Sequence, residues 1–279
     1  MTSRDPGLPT RSLSYGWFAV IVIAYLAIIK GVGYIARWVW DPKDGLYTTR
    51  DVMVQMWVPL GAALLFTYAV VAALRWWDPV LRERNPVQRW VWAVPIIFAV
   101  CIAVAIDYAD LFDKNVGYIL ALLVATQFVG WGEEGMFRGI GVTTLRTHGL
   151  TEGRVALWSS IIFGLVHISN ALTGELSKAL PQAIAVSFAG YFFYLIRRVS
   201  GGNVLNSVIH GFFDFSIITG TAIVIDQASY VGSAAAIAAY LIVGVLLIVR
   251  RHRIEPPKFA HNLKLSETGT HHPNRGGPG

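Results

Sequence analysis

Eight apolar stretches, separated by short polar segments, constrain this chain more than any other feature. Each is close in length to the ~20 apolar residues with which a helix crosses the ~30 Å hydrocarbon core of a bilayer. Only 14% of the residues are charged, against about 25% in an average soluble domain, so lipid is the main solvent. The sequence therefore predicts an all-α, polytopic membrane protein with about eight transmembrane helices. The predicted spans are 15–36, 52–74, 90–107, 116–137, 155–173, 180–196, 203–225 and 229–249.

The Lys and Arg residues lie almost entirely between these stretches. Seventeen of them fall in the two terminal tails and in the second, fourth and sixth loops, whereas the alternate loops hold five. Because Lys and Arg accumulate on the cytoplasmic side, we expect both termini in the cytoplasm. A net charge of +6 distributed in this way indicates a lipid bilayer as the partner and no nucleic acid. The expected location is a bacterial-type plasma membrane, with several spans in it.

This pattern divides the chain into three regions. Residues 1–14 are predicted to be a cytoplasmic tail, and residues 15–253 an intramembrane domain. Residues 254–279 are rich in Pro, Gly and polar side chains and have too little apolar surface to order themselves, so a disordered cytoplasmic tail is expected there. The single cysteine, Cys101, excludes a disulfide framework.

Ionisable residues inside the apolar spans are the candidates for function, because such groups are costly in lipid and mark sites by default. The first set is the segment GEEGMFRG at the end of the fourth span. On a helix, Glu134 and Arg138 are four residues apart and close enough to pair, whereas Glu133 points about 100° away. One carboxylate is then neutralised and the other stays free. Taken alone, this pattern is also typical of an interfacial ion pair.

Two further sets lie on later spans. His167 is the titratable group of the fifth span, and His210 and Asp214 share one helix face of the seventh. A single histidine in an apolar helix is more often a hydrogen-bonded core residue than a catalyst. Polar groups on three separate spans must, however, converge or each bear its own desolvation cost. We therefore expect the three sets to meet in one site.

These motifs, in this order on successive spans, resemble the CPBP family, which comprises CAAX proteases and bacteriocin-processing enzymes. The resemblance covers roughly residues 116–225, and it implies an intramembrane endopeptidase whose protease domain is residues 15–253. It also implies a glutamate, Glu133, that activates water with the help of His167. Glu134 and Arg138 would be the supporting pair of that base. The motifs that carry the resemblance are Glu133-Glu134-x-x-x-Arg138, Phe163-x-x-x-His167 and His210-x-x-x-Asp214.

The last motif departs from the family pattern. The resemblance places His210 and Asp214 on the side of the oxyanion, but the prenyl-processing members have HxxxN, with Asn at the position of Asp214. An Asn donates a hydrogen bond to a developing oxyanion, whereas an ionised Asp repels it. Asp214 is therefore protonated, turned to orient His210, or a metal ligand, and the sequence leaves these three readings open.

The need for a cofactor also stays open. Members of the family have been described both as metalloproteases and as metal-free glutamate proteases. If a divalent metal such as zinc is used, its candidate ligands are Glu133, His167, His210 and Asp214, since zinc sites of hydrolases combine histidines and carboxylates with a water. If none is used, Glu and His perform general acid–base chemistry by themselves.

Three functions remain after this reasoning. The first is hydrolysis of a peptide bond in a membrane-associated or lipid-linked protein or peptide. A non-catalytic membrane scaffold or immunity protein is the second, because some relatives have no established hydrolysis. The third is a proton-coupled transporter, which uses the same residue types as relays, although the chain shows no inverted repeat.

Overall fold

The computed structural model describes residues 9, 12–42, 45–172, 176–221 and 231–256. Every named element in this part of the chain is a helix. Two segments are π-helical, Met53–Trp57 and Glu134–Gly141, and three are short 3₁₀ turns, Arg89–Trp92, Ile168–Leu172 and Arg251–Arg253. The α-helices are α1 (Tyr15–Trp40), α2 (Thr49–Val52), α3 (Val58–Leu74), α4 (Trp77–Leu81), α5 (Ala93–Ala105), α6 (Tyr108–Phe112), α7 (Val116–Glu133), α8 (Val142–Thr147), α9 (Glu152–His167), α10 (Leu176–Ser200), α11 (Asn203–Thr221) and α12 (Val231–Val249).

Several helix starts follow from capping residues in the sequence. Ser14 accepts a hydrogen bond from the backbone N–H of Trp17 at the start of α1. Asn115 caps α7 in the same way, with its side-chain oxygen 2.8 Å from the backbone nitrogen of Tyr118. Such caps satisfy N–H groups that a helix leaves unpaired in its first turn. These caps determine the residues at which α1 and α7 begin.

Where the structure describes them, the predicted spans lie mainly on helices, but fewer than eight of these helices are long and apolar enough to cross a membrane by themselves. Within the described residues, five helical segments are long and apolar enough to cross a membrane. Two further apolar helices are shorter. Helix α11 is not among the five segments, and most of the side chains that it buries are polar. The five segments are Tyr15–Trp40, Thr49–Leu74, Val116–Thr147, Glu152–Leu172 and Ala179–Ser200, and the shorter two are Arg89–Ala105 and Ala234–Val249.

Parts of the predicted regions lie outside the described residues. These are most of the N-terminal tail, the last residue of the fifth span at 173, the end of the seventh span after 221, the start of the eighth at 229–230 and the C-terminal tail beyond 256. The number of spans and the cytoplasmic position of the termini stay predictions.

The outer surface of the bundle carries many large apolar side chains. Trp17 and Ile23 on α1 and Leu65 on α3 are each 65% or more exposed in the isolated chain. Soluble monomers rarely expose apolar patches that extend over whole helices. Together with the apolar helices, this surface identifies an integral, multi-pass membrane protein.

Two helix pairs bring the spans that carry the three motifs together: α7 packs on α11, and α9 packs on α10. Small residues permit the close approach. A Cβ atom at Gly130 would collide with the backbone of Ser207 and Gly211 on α11, and one at Gly164 would collide with Ser187 and Ala183 on α10. Membrane helices commonly associate through such small residues.

An aromatic core lies between α5, α10, α11 and α12. The ring of Phe98 is 5.1 Å from that of Phe192 and 4.8 Å from that of Phe213, and Tyr240 packs against all three. These offset and tilted arrangements are favourable for aromatic rings. This core supports the back of α10 and α11, whose other faces form the polar site.

Loops that the sequence places on one side of the membrane do meet at one end of the bundle. The backbone of Glu83 bonds to that of Gly201, and the backbone of Gln88 bonds to that of Ile254. The ring of Tyr15 stacks on that of His148, with 4.1 Å between centroids. Segments near the N-terminus, the second, fourth and sixth loops and the end of α12 are therefore at the same end, here called the arginine-rich end.

Candidate active site

The first motif lies where α7 changes its geometry. Glu133 is the last α-helical residue, and the chain continues as a π-helix from Glu134 to Gly141, all of whose residues are buried. A π-helix bonds each residue to the fifth along the chain and is rare, but it is frequent at functional sites. The sequence predicts an uninterrupted α-helix here. The predicted pairing of Glu134 with Arg138 nevertheless holds, with 3.1 Å between Oε1 and Nη1.

Glu134 is the centre of the site. Its side chain has no exposed surface, and its Oε1 accepts hydrogen bonds from Arg138 Nη1 and from His210 Nδ1, the second at 2.8 Å. Its Oε2 accepts from the side-chain amide of Asn206. A buried carboxylate is stable only when it is paired and hydrogen-bonded in this way. Glu134 therefore joins the π-helix to α11.

The contact with Glu134 fixes the orientation of His210. Because Nδ1 faces Glu134, the other ring nitrogen, Nε2, faces away from it, 3.7 Å from an oxygen of Glu133 and 3.6 Å from an oxygen of Asp214. The imidazole also stacks on Phe193, with 4.1 Å between centroids and 15° between planes. The histidine ring is thus held from one side and presents Nε2 between two carboxylates.

Exposure separates the carboxylates into two kinds. The side chains of Glu133 and Asp214 are 14% and 25% exposed, whereas that of His210 is 4% exposed and that of Glu134 is fully buried. Glu134 has its oxygens occupied by protein donors, so it holds the site together. Glu133 and Asp214 are the groups that can reach water or another molecule.

His167 lies beside this cluster and is separated from it by Phe163. Its Nδ1 is 2.8 Å from the carbonyl oxygen of Phe163, one turn earlier on α9. Its ring is 5.0 Å from the Phe163 ring, which in turn is 5.9 Å from that of His210. In the described part of the chain, no hydrogen bond joins His167 to Glu133 or Asp214. The structure brings the other five predicted residues together and leaves His167 at the edge.

Arg138 is a buried cation that depends on Glu134. Its side chain is fully buried, its guanidinium carbon lies 4.0 Å from the centre of the Phe163 ring, and its Nε and Nη2 have no hydrogen-bond partner among the described residues. The face of an aromatic ring attracts a cation. The carboxylate of Glu134 is its ionic partner, so the two charges are energetically linked.

The sequence analysis missed two asparagines of the site. The side-chain amide of Asn203 donates to the backbone carbonyl of Glu134 at 2.8 Å, and Asn206 donates to the Glu134 carboxylate. Both are buried. A signal was present, since Asn203, Asn206 and His210 are spaced three and four residues apart and therefore lie on one face of α11. Uncharged amides are not marked by a search for ionisable residues.

A third missed residue, Arg197, connects the arginine-rich end to the site. It is fully buried, and Nη1 donates to the carbonyl oxygen of Arg138 at 2.7 Å and to that of Val80 at 2.9 Å. Its Nη2 donates to two more carbonyls, and its Nε bonds to Glu83 at 2.9 Å. A guanidinium with five donors suits this role, and a lysine does not. Arg197 therefore fixes the backbone at Arg138, within the π-helix.

The electrostatics of the arginine-rich end are dominated by two arginines around one carboxylate. Glu83 contacts Arg197 and also Arg146, whose Nη1 is 3.0 Å from the carboxylate. Burial by itself raises the pKa of Glu83, but the charges of Arg197 and Arg146 outweigh this effect and lower the pKa below its ordinary value. Glu83 is therefore held as an anion by its two arginines.

The donor set does not form a ready metal centre. Among the residues that the structure describes, no three side chains of His, Cys, Asp or Glu converge as ligands of one metal ion. His167 lies apart from the other three candidates: its Nδ1 bonds to the carbonyl oxygen of Phe163, and no hydrogen bond in the described part of the chain joins it to Glu133, His210 or Asp214. The four candidate ligands named above therefore do not fit a zinc site in this arrangement, and we derive no step through a metal.

Residues 115–216 match the family model described as "Rce1-like: Type II CAAX prenyl endopeptidase Rce1-like". The matched segment contains all three motifs on which the resemblance rests, and it confirms that resemblance. No match was found among the curated proteins or among the solved structures. The match supports a CAAX-protease-like membrane protein and implies a peptidase that acts as an endopeptidase.

Proposed function

We propose that the chain is an intramembrane endopeptidase in which Glu133 activates water and His210 faces the reacting carbonyl. One observation carries this proposal: Glu134 binds one nitrogen of His210 and leaves the other between two carboxylates that are partly exposed. Hydrolysis requires a base that water can reach and a polar group held rigidly where the oxyanion develops. Here Glu133 is the accessible base, and His210 is the group that buried Glu134 holds in place.

In the proposed reaction, the ionised carboxylate of Glu133 takes a proton from a water molecule. The water oxygen forms a bond to the carbonyl carbon of the peptide, and the carbonyl oxygen becomes an oxyanion. When this tetrahedral intermediate collapses, the bond from carbon to nitrogen breaks and the proton held by Glu133 passes to the departing amine. A single carboxylate can thus serve as base and then as acid.

The oxyanion is stabilised from α11. A proton on Nε2 lets His210 donate a hydrogen bond to it, while the Nδ1 contact with Glu134 keeps the ring in place. Asp214 lies on the same side, and we assign it as a protonated second donor at the position where prenyl-processing relatives have Asn. Asn206 acts through Glu134 and is a positioning residue.

His167 has a different role in this proposal. Because Phe163 separates it from His210, it is not part of the hydrogen-bonded cluster around Glu134. Its ring borders the same space from α9, and we propose that it orients the water once substrate is bound, since catalytic contacts often tighten only in the complex. The substrate is a membrane-associated protein or peptide.

The experiment uses the full chain in lipid vesicles and a library of membrane peptides, with new amino termini detected by mass spectrometry. Wild type should cleave, and Glu133→Gln should lose cleavage by at least ~10²-fold, the usual minimum contribution of a general base. Asp78→Asn is the control, because the Asp78 side chain is 39% exposed and its ionic partners are the exposed Arg82 and Arg84, none of which belongs to the candidate active site. Cleavage by Glu133→Gln at the wild-type rate would refute the assignment.

The same variant separates the alternative functions. A scaffold would retain its cellular effect in Glu133→Gln, and a transporter would lose uptake coupled to pH without any peptide product. Thermal unfolding of the purified variant should match that of wild type, which ensures that loss of cleavage is not loss of folding.

A further inference from the structure

A groove distinct from the site runs along the outside of the bundle between α9, α10 and the end of α12. Its volume is about 650 Å³, within the ~300–1,000 Å³ of small-molecule sites. Neither His210 nor any carboxylate of the candidate active site lines it. The lining is mainly apolar along its length and polar at one end, the apolar part including Ala156, Leu157, Ile161, Phe188, Leu195 and Ile248.

The length of the groove corresponds to one leaflet of a bilayer. On α9 the lining extends from Glu152 to Ile161, and on α10 from Ser187 to Arg198. With a rise of ~1.5 Å per residue, these stretches are roughly 14–17 Å long. Half of a ~30 Å hydrocarbon core is ~15 Å. One acyl chain that starts at the arginine-rich end therefore fits along the groove.

The polar end has a surplus of accessible positive charge. Its two carboxylates are bound by arginines of the protein: Glu152 by Arg146 at 2.9 Å, and Glu255 by Arg198 at 2.5 Å. Arg251 is exposed, its Nη1 donates to the carbonyl oxygen of Ile248, and no carboxylate in the described ranges lies within ion-pair distance of it. The exposed His252 is adjacent in the lining.

Tryptophans mark the same end as the membrane interface. Trp90 and Trp92 are each 44% exposed, and Trp90 Nε1 donates to the carbonyl oxygen of Arg253, two residues from Arg251. Indole side chains prefer the level of the lipid headgroups, where one part of the ring is wet and the rest is in lipid. The cationic end of the groove thus lies at the depth of a phosphate group.

We propose that this groove binds an acidic phospholipid, with an acyl chain along α9 and α10 and the headgroup phosphate at Arg251 and His252. Basic pockets between membrane helices bind anionic headgroups through such side chains. The occupant is one lipid of the bilayer and not the substrate. The proposal does not depend on proteolysis, and its measurement is binding.

The test uses the full chain in mild detergent and native mass spectrometry, with phosphatidylglycerol and phosphatidylcholine of identical acyl chains as probes. Wild type should bind phosphatidylglycerol more tightly. Arg251→Gln should weaken its binding about fivefold, the effect of one basic residue near an acidic surface. Arg250→Gln is the matched control, because Arg250 is the exposed neighbour with the same charge and does not line the groove. It should change binding by less than about twofold.

The apolar part is tested separately. Leu157 is 54% exposed and lines the groove, so Leu157→Trp should obstruct it and weaken binding of both lipids. Leu165 is similarly exposed on the same helix but outside the lining, and Leu165→Trp should bind as wild type does. Equal binding of the two lipids, equal effects of Arg251→Gln and Arg250→Gln, or displacement of the lipid by inorganic phosphate alone would each overturn the proposal.

Discussion

Replacing Glu134 by Ala should destabilise the protein far more than the same change at the adjacent Glu133. Glu134 accepts hydrogen bonds from Arg138, His210 and Asn206 and is fully buried. Each bond to a charged group contributes about 1.5–3 kcal/mol, but bonds that share one acceptor group are not additive. The relevant magnitude is that of a buried charge left without its partner, about 3–5 kcal/mol. Arg138 becomes such a charge in Glu134→Ala.

Glu133→Ala is the matched variant, because it removes the same group one residue earlier. Glu133 is 14% exposed, and its nearest ionic neighbour, His210, is 3.7 Å away. We therefore expect a loss of less than about 1 kcal/mol, the size of a weak ion pair, because His210 keeps Glu134 as its partner and no buried charge is left alone. The unfolding free energies of both variants and of wild type should be measured by denaturant titration in one detergent. If both variants lose the same stability, the structural role assigned to Glu134 is wrong.

Three further outcomes are expected. Asp214→Asn should retain cleavage, since the amide replaces a protonated donor. Treatment of the wild-type protein with a chelator should not change the cleavage rate. Loss of both activity and bound metal in Asp214→Asn would instead identify Asp214 as a metal ligand. Glu83→Gln should be less stable than wild type at pH 7. Because the folded pKa of Glu83 is lowered, that difference should persist above its unfolded pKa of about 4.3 and vanish as pH falls through the folded value. A reporter enzyme that is active only outside the cytoplasm should be active when fused after residues 44, 114 and 178 and silent when fused after residues 84, 147 and 255. An external signal from the C-terminus would refute the eight-span topology.

The sequence by itself determined the class of the protein and the residue types of its site. Apolar runs of bilayer length are a local property, and so is the spacing that places Glu134 and Arg138 one turn apart. The ordered motifs were sufficient to identify a family resemblance that the match to residues 115–216 confirms. Five of the six predicted site residues lie together in the structure.

Only the tertiary structure decided which of these residues contact one another. His210 and Glu134 are 76 positions apart, and no local pattern indicates that Nδ1 faces this carboxylate while Nε2 faces Glu133 and Asp214. Desolvation and pairing depend on what surrounds a group in space, and periodicity along one helix does not contain that information. For the same reason the roles of Asn206 and Arg197, a neutral amide and a loop-end cation in the sequence, emerge only when α10 and α11 pack against the π-helix.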